Sequence, residues 1–237
     1  LNGDTTLKGV LSLYGYHFCD ILGSGDFGTC YEISRNGEAY VLKVFKHNHV
    51  KRRKSKLFME IDLLNKVNHP GIPKIFKVID KDGVFGFIME KMPGHTLSDL
   101  INWDYAFSKI EIVGIMSQLI QMIETLHAAD ISHRDIKTTN ILFFHGTISL
   151  IDFGSAKIFH SQTRNGNPDF WGIGDVFMRL ALIAPEISLN PQDVLIESLN
   201  LSPGEKTVIK RLLCIEGSYA DIKTLIHDFE MTFCIHQ

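Results

Sequence analysis

The sequence predicts an α+β chain in two parts: a small β-rich part with one helix, then a larger, mainly helical part. Three observations carry this. Roughly the first ninety residues alternate short β-branched and aromatic runs with glycines around a single helical stretch. KMPG at residues 91–94 breaks that pattern with Pro93 and Gly94. Beyond it, apolar residues recur at helical spacing and three helix starts carry capping boxes.

In chain order, YGYHFCDILG, TCYEIS and AYVLKVF read as strands, the stretch beginning FMEIDLLNKV as the helix, and IFKVID and VFGFIME as two further strands. The first lobe is expected at about 14–91, a hinge at about 90–94 and the second lobe at about 95–237, all within one domain spanning 1–237. In the second lobe a hydroxyl precedes an acid by three residues at Thr96/Asp99, Ser108/Glu111 and Ser202/Glu205, so each pair can cover orphan N–H groups of a helix start. Ile112, Ile115, Met116, Leu119, Ile123 and Leu126 form one helical stripe, and Ile222, Leu225, Ile226, Phe229 and Phe233 another. Both stripes are expected in the core.

The 237 residues, 45 % of them hydrophobic, can fill one large core or two. A formal charge of -3 predicts no general attraction to nucleic acid or an anionic membrane. Cys19, Cys30, Cys214 and Cys234 form no CxxC pair or zinc-type spacing, so they are expected as buried or half-buried thiols of a reducing, intracellular compartment. No apolar run reaches the roughly 18 residues of a membrane helix. LNGDTTLKG lacks the basic region and apolar core of a signal peptide. The charge run KHNHVKRRKSK at 46–56 has two readings: a solvated basic face, or a surface at Lys51–Lys54 for an acidic or phosphorylated partner. His47 and His49 lack further ligands nearby, so no metal is expected there.

Chemistry concentrates in four places. LGSGDFGTCY sets Gly23, Gly25 and Gly28 between two strands, where backbone can lie over phosphates; a purely structural hairpin is the other reading. In VLKVFK, Val41 and Lys43 are two apart on a strand and share a face. Glu60 and Leu64, one helical turn apart, can offer a carboxylate to Lys43 and an apolar contact to the sheet; alone, Glu60 reads equally as an exposed helix acid. The strongest signal is ISHRDIKTTNILFF followed by ISLIDFGSAK. Phosphoryl transfer asks for a carboxylate to orient the attacking hydroxyl, a cation near the transferring group, and an amide plus a second carboxylate to hold Mg²⁺. Asp135, Lys137, Asn140 and Asp152 are those groups in that order.

From about Tyr14 to Phe233 the chain resembles the eukaryotic-type protein kinase family. The resemblance implies a bilobal kinase-like fold, ATP with Mg²⁺ (or Mn²⁺), and a protein substrate. It makes Gly23, Gly25 and Gly28 the phosphate-covering loop, with Leu22, Ser24, Asp26 and Phe27 among the nucleotide-binding residues, Lys43 the α/β-phosphate ligand and Glu60 its ion-pair partner. Met89 falls at the gatekeeper position, Glu90 to Met92 at the adenine-binding hinge, and Leu142 beside the adenine. Asp135 would be the catalytic base, Asn140 and Asp152 the metal ligands, and Lys137 places the chain with the serine/threonine branch. Cys30 stands where the family commonly has valine and Val41 where it has alanine, a paired exchange that roughly conserves pocket volume.

DFWGIGD matches the DxWxxG start of the family's central buried helix, with Asp169 expected to hold the catalytic loop through its backbone. Only 14 residues separate Gly154 from Asp169, roughly half or less of the family's allotment for its activation loop, P+1 loop and APE motif. The Ala-Pro-Glu at 184–186 is a decoy, because the Asp-Trp helix precedes it. The arginine that pairs with the APE glutamate in the family is absent from CIEGSYADIK as well. The expected result is a minimal, constitutively active Ser/Thr kinase, with Ser161 and Thr163 as the alternative regulatory phosphosites opposite Arg134. Such pruning resembles reduced kinases of bacteria, their secreted effectors and large viruses. Two other functions stay open: a nucleotide-binding pseudokinase scaffold, and a kinase of a small molecule or lipid head group.

Overall fold

Antiparallel strands joined by tight turns build the first of two units, Leu1–Met92, and packed helices dominate the second, Pro93–Gln237. The structure, a computed structural model, describes residues 2–25, 28–46, 58–158, 167–182 and 192–234. In the first unit, β1 (His17–Ser24), β2 (Gly28–Arg35), β3 (Glu38–Phe45), β4 (Ile75–Lys81) and β5 (Val84–Glu90) form one sheet in the order β1-β2-β3-β5-β4. Asn36-Gly37 and Asp82-Gly83 close two of its hairpins with φ of 54° and 83°, and 50° and 80°. Positive φ at both turn residues matches the right-handed twist of the flanking strands, and Asn, Asp and Gly tolerate it best.

Among the described residues the first unit has two helices, where the sequence led us to expect one. The second is the predicted one, described over residues 58–66 (α2). The first, α1 (Asn2–Leu13), lies where the sequence reading placed no element. Its Leu7, Val10 and Leu11 pack with Tyr16, Ile33, Leu42, Ile79, Val84 and Ile88 on one face of the sheet. The helix carries Gly3, Gly9 and two threonines, all weak helix formers, so its own propensity gives little signal. Burial of its apolar stripe holds it in place. Leu11, 1 % exposed, is the anchor. Leu11→Ala is expected to lower unfolding stability by about 2–5 kcal/mol, read as a shift of the urea midpoint at unchanged m-value.

In the second unit, β6 (His95–Thr96) pairs with β8 (Ile141–Phe144) and β8 with β9 (Thr147–Leu150), while β7 (Ile131–Ser132) pairs with β10 (Lys157–Ile158). The helices are α3 (Leu97–Asn102), α4 (Lys109–Ala128), α5 (Pro168–Leu182), α6 (Gln192–Ser198), α7 (Pro203–Leu212) and α8 (Ile222–Phe229), the last running into a π-helical turn, Glu230–Cys234. All three predicted capping boxes form, opening α3, α4 and α7. The six-residue stripe of α4 is wholly buried, and Leu225, Phe229 and Phe233 lie in the core while Ile222 and Ile226 are half-buried.

The thiols depart from expectation. Cys30 is half-buried, but Cys19 and Cys214 are exposed. A register irregularity between Phe18 and Asp20 leaves Cys19 without a cross-strand partner, and Cys214, at φ 59°, follows the end of α7. The side chain of Cys234 lies outside the described residues. Among the described residues, no helix is long and apolar enough to cross a membrane.

Candidate active site

Register in the first sheet decides which side chains of its central strand act together. Val41 lies opposite Met89, and Lys43 lies opposite both Cys30 and Phe87, so these groups share one face of the sheet. Leu42 points the other way, beneath α1. Lys43 is no solvated edge residue: its Nζ donates to Glu60 Oε1 of α2 at 2.7 Å, with both side chains at least 94 % buried. Leu64, one turn further along α2, is buried as expected. On the same face Lys91 pairs with Glu32 at 2.7 Å, and the backbone N–H of Glu90 donates to the Lys74 carbonyl. Met92 is half-buried. Val41 and Met89 are register partners, so the branched side chain of Val41 stands beside Met89.

The three loop glycines divide physically. A Cβ on Gly28 would come within 2.2 Å of the Val44 carbonyl oxygen, so close backbone approach in the β2–β3 pair demands glycine there. At Gly23 and Gly25 no atom of the described residues lies within 4 Å of such a Cβ, and neither has positive φ. Protein packing therefore explains Gly28 and leaves the other two facing open space. Gly28→Ala is expected to cost well over 1 kcal/mol of stability, whereas Gly23→Ala changes it by less than about 0.5 kcal/mol, as thermal or urea unfolding would record. Ser24 shares a hydrogen bond with Thr29 at 3.0 Å, and Leu22 is exposed on β1. Asp26 and Phe27 lie outside the described residues, as do the basic segment from His47 through Lys56, Ser161, Thr163 and the Ala-Pro-Glu at 184–186.

In the second unit the segment between β7 and β8 gathers the polar groups. Asn140 Nδ2 donates to the Asp135 carbonyl at 2.9 Å and to Asp135 Oδ2 at 3.0 Å. Lys137 Nζ reaches the same Oδ2 at 3.0 Å. With its amide nitrogen committed to Asp135, the Asn140 side chain presents its carbonyl oxygen on the other edge. The Ile151 N–H donates to the Asn140 carbonyl at 2.9 Å, which ties Asp152 to the same loop. Asp152 is held at φ 63° and Arg134 at φ 66°. Non-glycine residues in this region are strained, and both sit where the backbone must turn beside the polar cluster. Leu142, half-buried on β8, is paired with Thr96 of β6.

Asp169 holds this loop as expected. Fully buried at the start of α5, it accepts from the backbone N–H groups of His133 (3.2 Å) and Arg134 (2.6 Å), and it meets His127 Nε2 at 2.8 Å. Burial pushes its carboxyl up, but the His127 and Arg134 hydrogen bonds outweigh this and hold it below the usual range. One turn later, a Cβ on Gly172 would lie 2.7 Å from the Ile136 carbonyl oxygen, so glycine lets α5 approach the loop closely. Sequence reasoning missed His127. Its signal was faint: a polar residue following Leu126 at the end of an otherwise apolar helical stripe.

The linker after α7 has no arginine, and the nearest, Arg211, is engaged by Asp228 of α8 and lies 4.1 Å from the centre of the Tyr219 ring. The last two helices are thus joined by their own ion pair.

A buried Lys–Glu pair, an Asp-Lys-Asn cluster and a left-handed Asp beside it are distributed along the chain in the order of one family, and residues 16–194 match the protein kinase domain. The chain belongs to the protein kinase family. It is 30 % identical over 237 residues to the probable serine/threonine-protein kinase YbdM of Bacillus subtilis, spanning 95 % of this chain and 92 % of that protein. It is 30 % identical to myosin light chain kinase A of Dictyostelium discoideum over 166 residues, and 33 % identical to calcium-dependent protein kinase 6 of Plasmodium berghei over 159. The match spans 56 % and 10 % of those two proteins, and 65 % and 64 % of this chain.

The family implies ATP and a divalent metal, and the donor set fits them. Asn140 and Asp152 supply hard oxygen ligands, the kind Mg²⁺ takes. Among the described residues no group of three or more His, Cys, Asp or Glu could hold a metal alone. Two protein oxygens suit an ion that completes its shell with water and nucleotide phosphates.

Proposed function

We propose that this kinase transfers the γ-phosphoryl group of ATP to serine or threonine of a protein substrate. The observation that carries the proposal is the pair of preorganised half-sets, Lys43 locked on Glu60 in one unit and Asn140 and Lys137 locked on Asp135 in the other. A scaffold has no need of both.

Lys43 binds the nucleotide's inner phosphates, held in place by Glu60. Gly23, Ser24, Gly25 and Gly28 cover the phosphates, the open space beside Gly23 and Gly25 leaving room for them. In the first unit Leu22, Cys30, Val41 and Met89 offer apolar surface to the adenine and the backbone from Glu90 to Met92 binds the base; in the second unit Leu142 is the adenine-binding residue. Asn140 and Asp152 would hold Mg²⁺, which would neutralise charge on the phosphates. Asp135 orients the substrate hydroxyl and accepts its proton as the new P–O bond forms and ADP leaves. Lys137, on the Asp135 carboxylate, stabilises the charge gathering on the transferred group.

Activity is proposed to be constitutive, since 14 residues between Gly154 and Asp169 leave little chain for an ordering switch. Labelled-ATP transfer to the chain itself and to a basic carrier protein, comparing wild type with Asp152→Asn, tests the reading. Label on protein in the wild type alone supports it. ATP binding without transfer in the wild type sinks it in favour of a scaffold, and transfer to extracted metabolites alone in favour of a small-molecule kinase. Stoichiometric phosphate at Ser161 or Thr163 whose removal abolishes turnover would refute constitutive activity.

A further inference from the structure

The second unit carries a row of rings that its fold leaves at the surface. Trp103, capping the C-terminus of α3, meets His95 edge-on at 4.8 Å between ring centres, and His95 lies opposite Phe143 across the β6–β8 pair. Phe143 meets Phe107 at 6.0 Å, and Phe107 meets Tyr105 at 4.8 Å. Trp103 is 60 % exposed and Tyr105 40 %; His95 is exposed too, with Phe107 and Phe143 half-buried beneath them. The Tyr105 hydroxyl donates to Glu111 at 2.6 Å, which fixes its ring. A connected, oriented run of exposed rings is unlike the scattered apolar residues of an ordinary surface.

Its charge is one-sided. Residues 92–108 contain no lysine or arginine, nor do residues 138–149. Asp104 stands between Trp103 and Tyr105, exposed and held at φ 57°. Lys109, the next cation along the chain, is paired with Glu205 at 2.7 Å. Aromatic faces beside a carboxylate, without a competing cation, recognise a guanidinium or ammonium group on an apolar stem. The row is also close to the reacting groups in its own unit: Phe143 follows Asn140 by three residues along β8, about 10 Å of extended chain.

We propose that this row is a docking surface for an arginine- or lysine-bearing segment of the protein substrate, standing in for the reduced platform after Gly154. The proposal rests on the protein-kinase reading and deepens it by naming the substrate's chemistry. A few extended residues connect a segment on this row to a serine or threonine presented at Asp135.

Trp103 and Trp171 are the two tryptophans of the chain, so the chain carrying Trp171→Phe reports on Trp103 alone. It is titrated with a serine peptide carrying several arginines and with the same peptide after Arg→Gln replacement. The arginine peptide is expected to change Trp103 emission saturably, and the glutamine peptide to leave it unchanged. With a labelled arginine peptide and anisotropy as the readout, Trp103→Ala and Asp104→Asn each weaken binding about three-fold and together about ten-fold. Asn tolerates the left-handed backbone, so the second variant tests charge and not the turn. KM for the arginine peptide rises by the same factors, with kcat, KM for ATP and KM for the glutamine peptide unchanged. Binding is repeated in Asp152→Asn. Undiminished binding there shows that docking does not need transfer; row-dependent binding by a wild type that itself transfers no phosphate keeps the docking surface and rejects the kinase reading. Equal affinity for the two peptides, or undiminished affinity in the Trp103→Ala/Asp104→Asn variant, overturns the proposal. So does self-association lost in that variant without peptide binding, which makes the row an interface between copies.

Discussion

Asp169→Ala is expected to lower unfolding stability by roughly 3–5 kcal/mol and turnover by about two orders of magnitude or more. The side chain is fully buried and is the acceptor for two backbone N–H groups and for His127. Alanine leaves those donors without it in a place water does not reach, at about 1–3 kcal/mol each. The same bonds fix the backbone at His133 and Arg134, immediately before Asp135, so their loss displaces the group proposed to orient the hydroxyl. Asp169→Asn keeps one oxygen and should fall between. Equilibrium urea unfolding and kcat with saturating ATP measure the two effects. Wild-type values of both in Asp169→Ala would mean that the loop is held elsewhere.

The pH dependence of stability separates this anchor from its neighbour. Asp169 is held below its ordinary range in the folded chain, chiefly by His127 and the Arg134 N–H acting against burial. The folded state therefore binds fewer protons than the unfolded one, and the anchor's contribution is present above about pH 4 and lost as pH falls through the folded value. His133, fully buried, is pushed down by desolvation, so folding also loses stability as pH drops below about 6.5. The wild type should show both stages and Asp169→Ala a shallower lower one, because Glu111, Glu197, Glu205 and Asp221 are held down as well.

Much of this site was legible because its chemistry is encoded in short-range order. HRDIKTTN places Asp135, Lys137 and Asn140 on one turn of chain, and the structure joins them by hydrogen bonds that need no distant element. The β3 alternation likewise put Val41 and Lys43 on one face, and the strand register keeps them there. The capping boxes were readable because hydroxyl and acid lie three residues apart.

What was missed depends on contacts between distant parts of the sequence. His127 and Asp169 are 42 residues apart, and nothing local marks the histidine as a partner. α1 has weak propensity and exists through the sheet face it covers. The outward turn of Cys19 follows from a strand irregularity rather than from its own chemistry. The aromatic row joins residues from β6, the α3–α4 connection and β8, elements that are neighbours in the sheet and not in sequence.

Glu60→Ala should be the most damaging single change in the first unit, with a stability loss of about 3–5 kcal/mol, because it takes from a buried ammonium the carboxylate 2.7 Å away that neutralises it. The pair is 2.7 Å apart with side chains 6 % and 4 % exposed, so water cannot replace the missing carboxylate without opening the sheet against α2. The double variant Lys43→Met/Glu60→Leu removes both charges and keeps comparable volume, and replacing a buried pair in this way is often neutral or stabilising. It is expected to recover most of the lost stability, to within about 1–2 kcal/mol of wild type, while phosphoryl transfer stays at background. That split is the informative outcome. A pair kept for folding would lose stability along with function in the double variant, whereas a pair kept to hold phosphate loses function alone. Urea unfolding of the wild type and of the Glu60→Ala and double variants, beside labelled-ATP transfer on the same preparations, reads both quantities. If the double variant were as unstable as Glu60→Ala, Lys43 and Glu60 would be structural first and the phosphate role would lose its main support.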